Sequence, residues 1–321
     1  MEQISAIVCV RNEEKNIPRL IDSLKDCSEI IIADGGSTDS TVSMAKNLGA
    51  KVIIRNDEYD KATQIDITEF YLKFGYFPSF TVGDKITNMG KFRNAILKEA
   101  KNDWIFYPDA DEIVVWDLPR LQIIMESYDQ IECRLIQDRK NYKYNNIVKL
   151  FKKSKAQWVG RNHEVITYSK NILVDPSVMK INHYSKKNKN YSCITNLEYA
   201  VIKEKDSRSM FYLGREYYYE KQYDKSVKIL DDCIKNSVTL NEIAESYYQK
   251  GLTLWDKYRG ILTPEAHEGR NSARTAILHA IEINANMKKA FNLMADMIRP
   301  QMKSKWLEFS KLADNQEVIF P

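Results

Sequence analysis

The sequence predicts an α/β domain with a mostly parallel sheet over residues 1–190 and an all-α helical-repeat domain over residues 191–321. In the first half, apolar runs of strand length alternate with amphipathic helical segments. After about residue 191 the strand signals fade and long segments with helical spacing follow. A βαβ order is typical of a parallel sheet with helices on both faces, and 321 residues suffice for two domains.

The strands of the first half are predicted from short, almost continuous apolar runs, which indicate burial on both faces. They are predicted at 4–10, 29–34, 51–55 and 104–108, and helices are predicted at 15–27, 37–49 and 91–101. The long segment 57–89 has helical or mixed character. A segment of this length is either a substrate loop or a packed insertion.

The second half begins with a small, partly antiparallel region and continues as helices. Strands are predicted at 130–136 and 146–152 around a polar turn, with short extended pieces in 155–166 and 179–184. Helical hairpins are predicted from 209–236, 241–258, 271–284 and 288–298. Phe211, Leu213, Gly214 and Tyr217 resemble the W-x2-L-G-x2-Y signature of tetratricopeptide repeats.

Composition excludes several classes of protein. With 44% hydrophobic and 29% charged residues the chain is not largely disordered, and a net charge of +4 does not require an anionic partner. Five widely spaced cysteines without a CxxC pair argue against a disulfide framework or a zinc-thiolate site. Met1 leads directly into a strand, and no apolar stretch reaches the roughly 20 residues of a membrane span. We therefore expect a cytoplasmic protein without a transmembrane segment.

Polar and acidic residues follow three of the predicted strands. The first strand ends in Arg11-Asn12-Glu13-Glu14, the second in Asp34 with two glycines, and the strand at 104–108 in Asp109, Asp111 and Glu112. Ligands of parallel sheets bind beyond the carboxyl ends of the strands. Any one of these residues alone could be a turn residue or a helix cap, but the three sets together indicate a binding site. GxGxxG and GxxxxGK[ST] do not occur at these turns, which disfavours a dinucleotide-binding fold or a P-loop.

Two of these acids are spaced for a metal. In an extended chain, Asp109 and Asp111 would face the same way. Paired carboxylates suit a hard divalent cation such as Mg2+ or Mn2+. His163 and His183 follow the acids in the chain, and each is either a further metal or phosphate ligand or a structural histidine.

Four blocks of sequence together resemble the family 2 glycosyltransferases of the GT-A fold. They are IVCVRNEEKNIPRLIDSL, EIIIADGGSTDSTVSMAK, GKFRNAILKEAKNDWIFYPDADE and NHE, in the family order, and they cover most of residues 4–184. The helical part after them is similar to that of tetratricopeptide-bearing members, which include the sublancin-type peptide S-glycosyltransferases.

The resemblance implies a role for each matching residue. Residues that would contact the nucleotide, diphosphate or sugar of a UDP-sugar are Glu13, Asp34, Arg93, Asn94 and Asp109. Arg11 is a further donor-binding candidate at the end of the first strand, where many relatives carry a small or aromatic residue instead. The DxD motif is Asp109 and Asp111, with Asp111 the direct metal ligand, and His163 and Glu164 match the HE block. The implied cofactor is Mn2+ or Mg2+.

The expected reaction is metal-dependent, inverting transfer of a hexosyl group. Negative charge builds on the leaving diphosphate, which a metal at Asp109 and Asp111 would stabilise. Inversion needs a base on the opposite face of the sugar, and Glu164 is the predicted catalytic base. The alternative for Glu164 is a salt bridge to Arg161 or a nearby lysine, and Asp84 and Glu112 are the next candidates for the base.

Two other classes of function were weighed. The helical repeats could be a peptide- or protein-binding module beside a degenerate nucleotide-binding domain. A nucleotidyltransferase is disfavoured because the first strand lacks a glycine- and lysine-rich phosphate loop. The acceptor stays open between a peptide or protein, a glycan, and another hydroxyl or thiol. No basic-aromatic stripe supports nucleic acid, and the helical domain is a candidate homodimer surface.

Overall fold

The computed structural model describes residues 2–54, 59–137, 145–184, 193–298 and 300–313. The predicted end of the third strand at Arg55 and the polar turn over 138–144 lie outside the described residues. No helix in these described ranges is both long enough and apolar enough to cross a bilayer.

The described residues form thirteen strands and twelve helices. The strands are β1 Ile4–Val10, β2 Glu29–Asp34, β3 Lys51–Ile54, β4 Tyr59–Lys61, β5 Lys85–Thr87, β6 Trp104–Phe106, β7 Glu112–Trp116, β8 Gln130–Gln137, β9 Asn145–Lys152, β10 Trp158–Val159, β11 Val165–Ile166, β12 Asn171–Leu173 and β13 Met179–His183. The helices are α1 Ile17–Ser23, α2 Thr41–Asn47, α3 Gln64–Phe74, α4 Met89–Leu97, α5 Leu118–Met125, α6 Ile194–Lys203, α7 Ser207–Tyr219, α8 Tyr223–Asn236, α9 Leu240–Tyr258, α10 Pro264–Ile283, α11 Lys288–Met297 and α12 Pro300–Leu312.

Nine of the strands form one mixed, largely parallel sheet. Its order is β3-β2-β1-β6-β9-β8-β13-β7, with β12 beside β8. β1 pairs in parallel with both β2 and β6, so the carboxyl ends of these three strands lie at one edge, which we call the carboxyl edge. The expected α/β fold with a mostly parallel sheet is confirmed.

The central strands are apolar throughout because the sheet is covered on both faces. Successive side chains of a strand point to opposite faces. Ala6 and Val8 of β1 therefore pack in one core with Leu20 and Phe106, whereas Ile7 packs in a second core on the other face. This two-sided burial is why the predicted strands at 4–10 and 29–34 match β1 and β2 residue for residue.

The chain folds into two compact units, and each unit is built from three separate segments of the sequence. The first unit is Met1–Tyr59, Thr87–Gly160 and Glu164–Asn190, and the second is Asp60–Ile86, Arg161–His163 and Tyr191–Pro321. The sequence analysis placed a single boundary after residue 190, whereas the structure also assigns 60–86 and 161–163 to the second unit. Of the two interpretations of the long insertion, the structure shows a packed one.

The second unit is a series of antiparallel helices with the insertion packed among them. Phe70, Phe74 and Phe80 of the insertion share a core with Leu197 and Leu230. The predicted helical hairpins are present, and α10 begins at Pro264, seven residues before the predicted segment 271–284.

Small residues of the tetratricopeptide-like pattern allow the helices to approach closely. A Cβ at Gly214 would lie only 2.7 Å from Cγ of Leu230. Any side chain at this position of α7 would therefore separate it from α8, which explains the glycine of the repeat pattern.

Candidate active site

A buried lysine joins two of the acids at the carboxyl edge. Nζ of Lys149 on β9 lies 3.0 Å from Oδ2 of Asp109 and 2.8 Å from Oε2 of Glu112. The Lys149 and Glu112 side chains are 7% and 1% exposed, whereas that of Asp109 is 52% exposed. Asp109 thus presents an open carboxylate, and Glu112 is enclosed.

These contacts set the ionisation of the three groups. Burial raises the pKa of Glu112, and although Lys149 opposes this effect the pKa stays above its ordinary value. For Asp109, partial loss of hydration is outweighed by Lys149 and Arg93, so its pKa is lowered. Burial lowers the pKa of Lys149, but the two acids outweigh it and the net shift is upward.

The backbone of the DxD segment differs from the expectation. The two acids were expected to face the same way on an extended chain, and this premise is wrong. Residues 109–112 form a turn in which the Glu112 N–H donates to the Asp109 carbonyl at 3.0 Å, and the Asp109 N–H donates to the Glu112 carboxylate at 2.8 Å. Asp109 and Asp111 therefore contact different partners.

Asp111 is paired with a histidine from a neighbouring strand. Nε2 of His183 lies 3.4 Å from Oδ2 of Asp111, and both side chains are about one-fifth exposed. β13 runs antiparallel to β7 with His183 opposite Glu112, and the Tyr184 N–H donates to the Asp111 carbonyl at 2.9 Å. Backbone pairing therefore positions this pair.

The contact shifts both pKa values in opposite directions. The hydrogen bond to Asp111 is the largest effect on His183 and raises its pKa. For Asp111, burial acts upward, but the hydrogen bond and charge of His183 outweigh it, so the pKa is lowered.

Asp111 and His183 could supply two ligands to a divalent cation, a carboxylate oxygen and a ring nitrogen. Within the described ranges, no three His, Cys, Asp or Glu side chains form a ready metal-binding group. A site with two protein ligands suits an ion that takes its other ligands from water and substrate phosphates.

Arg93 and Glu164 form an ion pair that the sequence did not predict. Nε of Arg93 on α4 lies 2.5 Å from Oε1 of Glu164, and the side chains are 16% and 8% exposed. The expected alternative for Glu164 was a pair with Arg161 or a nearby lysine. Arg161 instead pairs with Asp60 and Glu204 in the second unit.

Asn94 has a partner that explains its place in the motif. Its Nδ2 donates to the Trp158 carbonyl and its Oδ1 accepts from the Trp158 N–H, both at 2.8 Å. The side chain thus joins α4 to β10. The expectation that Asn94 lies near the diphosphate or sugar stays a prediction.

The loops after β1 and β2 are tied together at the carboxyl edge. The Asn12 N–H donates to Ser37 Oγ at 2.9 Å, and Asn12 Oδ1 accepts from the Thr38 N–H at 2.8 Å. Asp34, which is 1% exposed, accepts from the N–H groups of Gly36 and Ser37 at 3.0 Å. Its carboxylate therefore orders the glycine turn.

The two remaining donor-binding candidates of β1 differ in exposure. Glu13 is 5% exposed and accepts from Nδ2 of Asn16 at 2.6 Å. Arg11 is exposed. Both follow β1, so the structure places them at the same edge as Asp34 and Asp109.

Two predicted residues lie in the second unit. His163 has a left-handed backbone and its ring stacks on Tyr212 with centroids 3.7 Å apart. Burial, Arg215 and Arg208 lower its pKa to about 4. Asp84 accepts from the Thr81 N–H at 2.7 Å within its own loop. Their assignment to the site stays a prediction.

Sequence reasoning missed Lys149, Tyr107 and Trp158. A signal for Lys149 exists, because it is a single charge inside the apolar strand pattern NIVKLFK. Tyr107 and Trp158 have no such signal, since aromatic residues next to short strands are ordinary core residues.

The fold and site together define a GT-A-type transferase domain. Residues 5–179, more than half of the chain, match the family model described as glycosyl transferase family 2. The chain therefore belongs to glycosyl transferase family 2, as the resemblance implied.

Curated relatives carry the same description. An uncharacterized glycosyltransferase of Rickettsia felis is 28% identical over 207 residues, which are 58% of this chain and 63% of the relative. The SPbeta prophage-derived glycosyltransferase SunS of Bacillus subtilis is 23% identical over 257 residues, 74% of this chain and 55% of the relative. The chain thus spans less than two thirds of the length of these relatives.

A solved structure is also similar. Glucosyl-3-phosphoglycerate synthase from Mycobacterium tuberculosis, in complex with Mn2+ and uridine-diphosphate-glucose, is 21% identical. The match covers 42% of this chain and 44% of that chain, with a TM-score of 0.28. A similarity this loose supports no statement about the donor or metal of this chain.

Proposed function

We propose that this chain is a metal-dependent, inverting glycosyltransferase that moves a hexosyl group from a UDP-sugar to a hydroxyl or thiol acceptor. The observation that carries the proposal is the Asp111–His183 pair at the carboxyl edge of a family 2 domain. Strand-end acids at this edge are where ligands of a parallel sheet bind.

The donor nucleotide binds, in this proposal, to the two loops that Asn12 joins. Glu13 and Arg11 contact the base from the first loop. Asp34 orders the glycine turn beside the ribose, since its carboxylate already accepts from Gly36 and Ser37. The glycines allow the backbone to approach the nucleotide closely.

Asp111 and His183 would hold Mn2+ or Mg2+, with the open carboxylate of Asp109 beside them. When bound, the ion supplies Lewis-acid stabilisation of the leaving diphosphate. Lys149 fixes Asp109 and neutralises the enclosed Glu112. In this arrangement Asp111 is the acid that would coordinate the ion directly.

Glu164 is the proposed catalytic base. Its Oε1 pairs with Arg93, and Oε2 takes the acceptor proton as the acceptor attacks the anomeric carbon. The other candidates are occupied differently, because Glu112 is enclosed by Lys149 and Asp84 caps its own loop.

The test is a thermal-shift panel of nucleotide-sugars with and without Mn2+ or Mg2+, followed by donor hydrolysis with the best ligand. We expect a UDP-sugar to raise the melting temperature only with metal, and Asp111→Asn to lower turnover by about 10^3-fold. Asp129→Asn is the matched control, because Asp129 pairs with Lys152 away from the edge. If no nucleotide-sugar binds with metal, the proposal is wrong.

The acceptor and location are parts of the same proposal. We place the enzyme in the cytoplasm, where nucleotide-sugars are made, and expect the helical unit to take part in binding a peptide, protein or glycan acceptor. Intact mass spectrometry of candidate acceptors after incubation with the winning donor would identify the class. Sedimentation of the full chain would test the proposed homodimer.

A further inference from the structure

Arg93 was expected to contact the donor diphosphate or sugar, and in the structure its guanidinium lies against two aromatic rings and the Glu164 carboxylate. We propose that Arg93 is a positioning residue, which fixes the Glu164 carboxylate from within a corner formed by Tyr107 and Trp158. The inference rests on the proposed function, because it assigns Glu164 the part of the base.

Two aromatic rings hold the guanidinium. Cζ of Arg93 lies 4.7 Å from the ring centroid of Tyr107 and 4.5 Å from that of Trp158. The two rings are tilted by 59° with centroids 5.2 Å apart, so they form a corner rather than a parallel sandwich. Arginine is suited to such a site because its planar cation stacks on aromatic faces.

The corner is itself held in place. The Tyr107 ring is 1% exposed, and its hydroxyl lies 2.6 Å from Sγ of Cys9 on β1. The backbone of Trp158 is bonded at both polar groups to the Asn94 side chain. Asn94 follows Arg93 on α4. The same turn of this helix therefore supplies the arginine and the side chain that fixes the backbone of Trp158.

The β10–β11 pairing brings the carboxylate to this corner. Trp158 pairs with Ile166 and Val159 with Val165 in antiparallel register. Glu164 directly precedes β11, so the pairing that sets Trp158 also sets Glu164. Nε of Arg93 lies 2.5 Å from Oε1 of Glu164, so the guanidinium forms its ion pair with this carboxylate.

The contact is electrostatic rather than a well-aligned hydrogen bond. Nε of Arg93 is buried, and its N–H is not aligned with an acceptor in the part of the chain that the structure describes. Lysine would keep the charge, but it lacks the planar group that the corner holds. The shape of the guanidinium should therefore matter as well as its charge.

Arg93→Ala provides the test, because it leaves a guanidinium-sized space between Tyr107 and Trp158. We expect kcat to fall about 100-fold with the donor dissociation constant changed less than about twofold. Added guanidinium at tens of millimolar, far below denaturing concentrations, should restore kcat at least about tenfold. Urea, a neutral molecule of similar shape, should not.

Arg120→Ala is the matched control, because Arg120 is an exposed arginine of the first unit whose side chain donates a hydrogen bond to Ser177. It should keep wild-type kcat and show no response to guanidinium. If Arg93→Ala does not fold, Arg93→Met replaces it. We expect the same loss of kcat with unchanged donor binding.

The outcomes separate this inference from the proposed function. A weakened donor affinity in Arg93→Ala, or an unchanged kcat, overturns the positioning role while an active wild type keeps the proposed function. Loss of kcat that guanidinium and urea restore equally also overturns it, since charge would then be irrelevant. A wild-type protein without metal-dependent turnover overturns both.

Discussion

The acids of the carboxyl edge and the buried acids of the second unit are neutralised in different ways. At the edge, Asp109, Asp111 and Glu112 share one lysine and one histidine. In the second unit, Glu198 alone accepts from the Ser79 N–H at 2.5 Å, the Ser79 hydroxyl at 2.6 Å and the Tyr217 hydroxyl at 2.5 Å.

Asp66 is a second buried acid of this unit with partners of its own. It is fully buried, forms a capping box with Thr63 at the start of α3, and pairs with Lys203. Acids that hold structure together are matched to donors of their own, whereas the three acids of the edge share Lys149 and His183. The difference can be tested from both sides.

The largest effect is expected from Lys149→Met, which leaves the enclosed Glu112 without its cation. Removing one partner of a buried pair typically costs about 3–5 kcal/mol, so we expect a loss of this size in the free energy of unfolding at pH 7. Urea unfolding measures it. The double variant Lys149→Met/Glu112→Gln should recover most of the loss, and a cost below about 1 kcal/mol would mean that Glu112 is already neutral.

Glu198→Gln should have a smaller effect of a different kind. The amide keeps the shape but weakens the bonds from Ser79 and Tyr217, and bonds to a charged group contribute about 1.5–3 kcal/mol each. We expect stability to fall by about 2 kcal/mol while kcat stays within about twofold of wild type. A large loss of kcat in folded protein would break the distinction between the two regions.

The smallest effect is expected from Asp66→Asn, and it depends on pH. Burial acts to raise the pKa of Asp66, but Lys203 and Thr63 outweigh it and the folded pKa lies below 3.8. A lowered pKa contributes stability that is present above the unfolded value and is lost as pH falls through the folded value.

Wild-type and Asp66→Asn proteins should therefore differ by about 1–2 kcal/mol at pH 7 and converge below about pH 4. Urea unfolding at a series of pH values measures the convergence. A difference that persists unchanged to pH 3 would assign the effect to the capping box rather than to the ion pair.

The strand ends were predictable from sequence, and their partners were not. β1 and β2 are buried on both faces, so apolar runs mark where they end and the acids begin. Lys149 pairs with Asp109 across 40 positions of the chain, and no local spacing reports such a contact.

Proximity in sequence does not determine which charges pair in this chain. Arg161 lies three residues before Glu164, but the two belong to different compact units. His163 and Glu164 form one motif and are divided by the same boundary. A motif contains residues that are adjacent in sequence. Which charges pair depends instead on the compact unit in which each residue is packed.

The insertion of residues 60–86 in the second unit has a consequence for synthesis on the ribosome. The insertion leaves the ribosome more than a hundred residues before α6, α7 and α8, whose Leu197, Leu213 and Leu230 cover Phe70, Phe74 and Phe80. Domains generally fold in the order in which they emerge. These three phenylalanines therefore stay exposed in the nascent chain until the three helices have been synthesised. A fragment that starts at residue 191 would lack part of the core of the second unit.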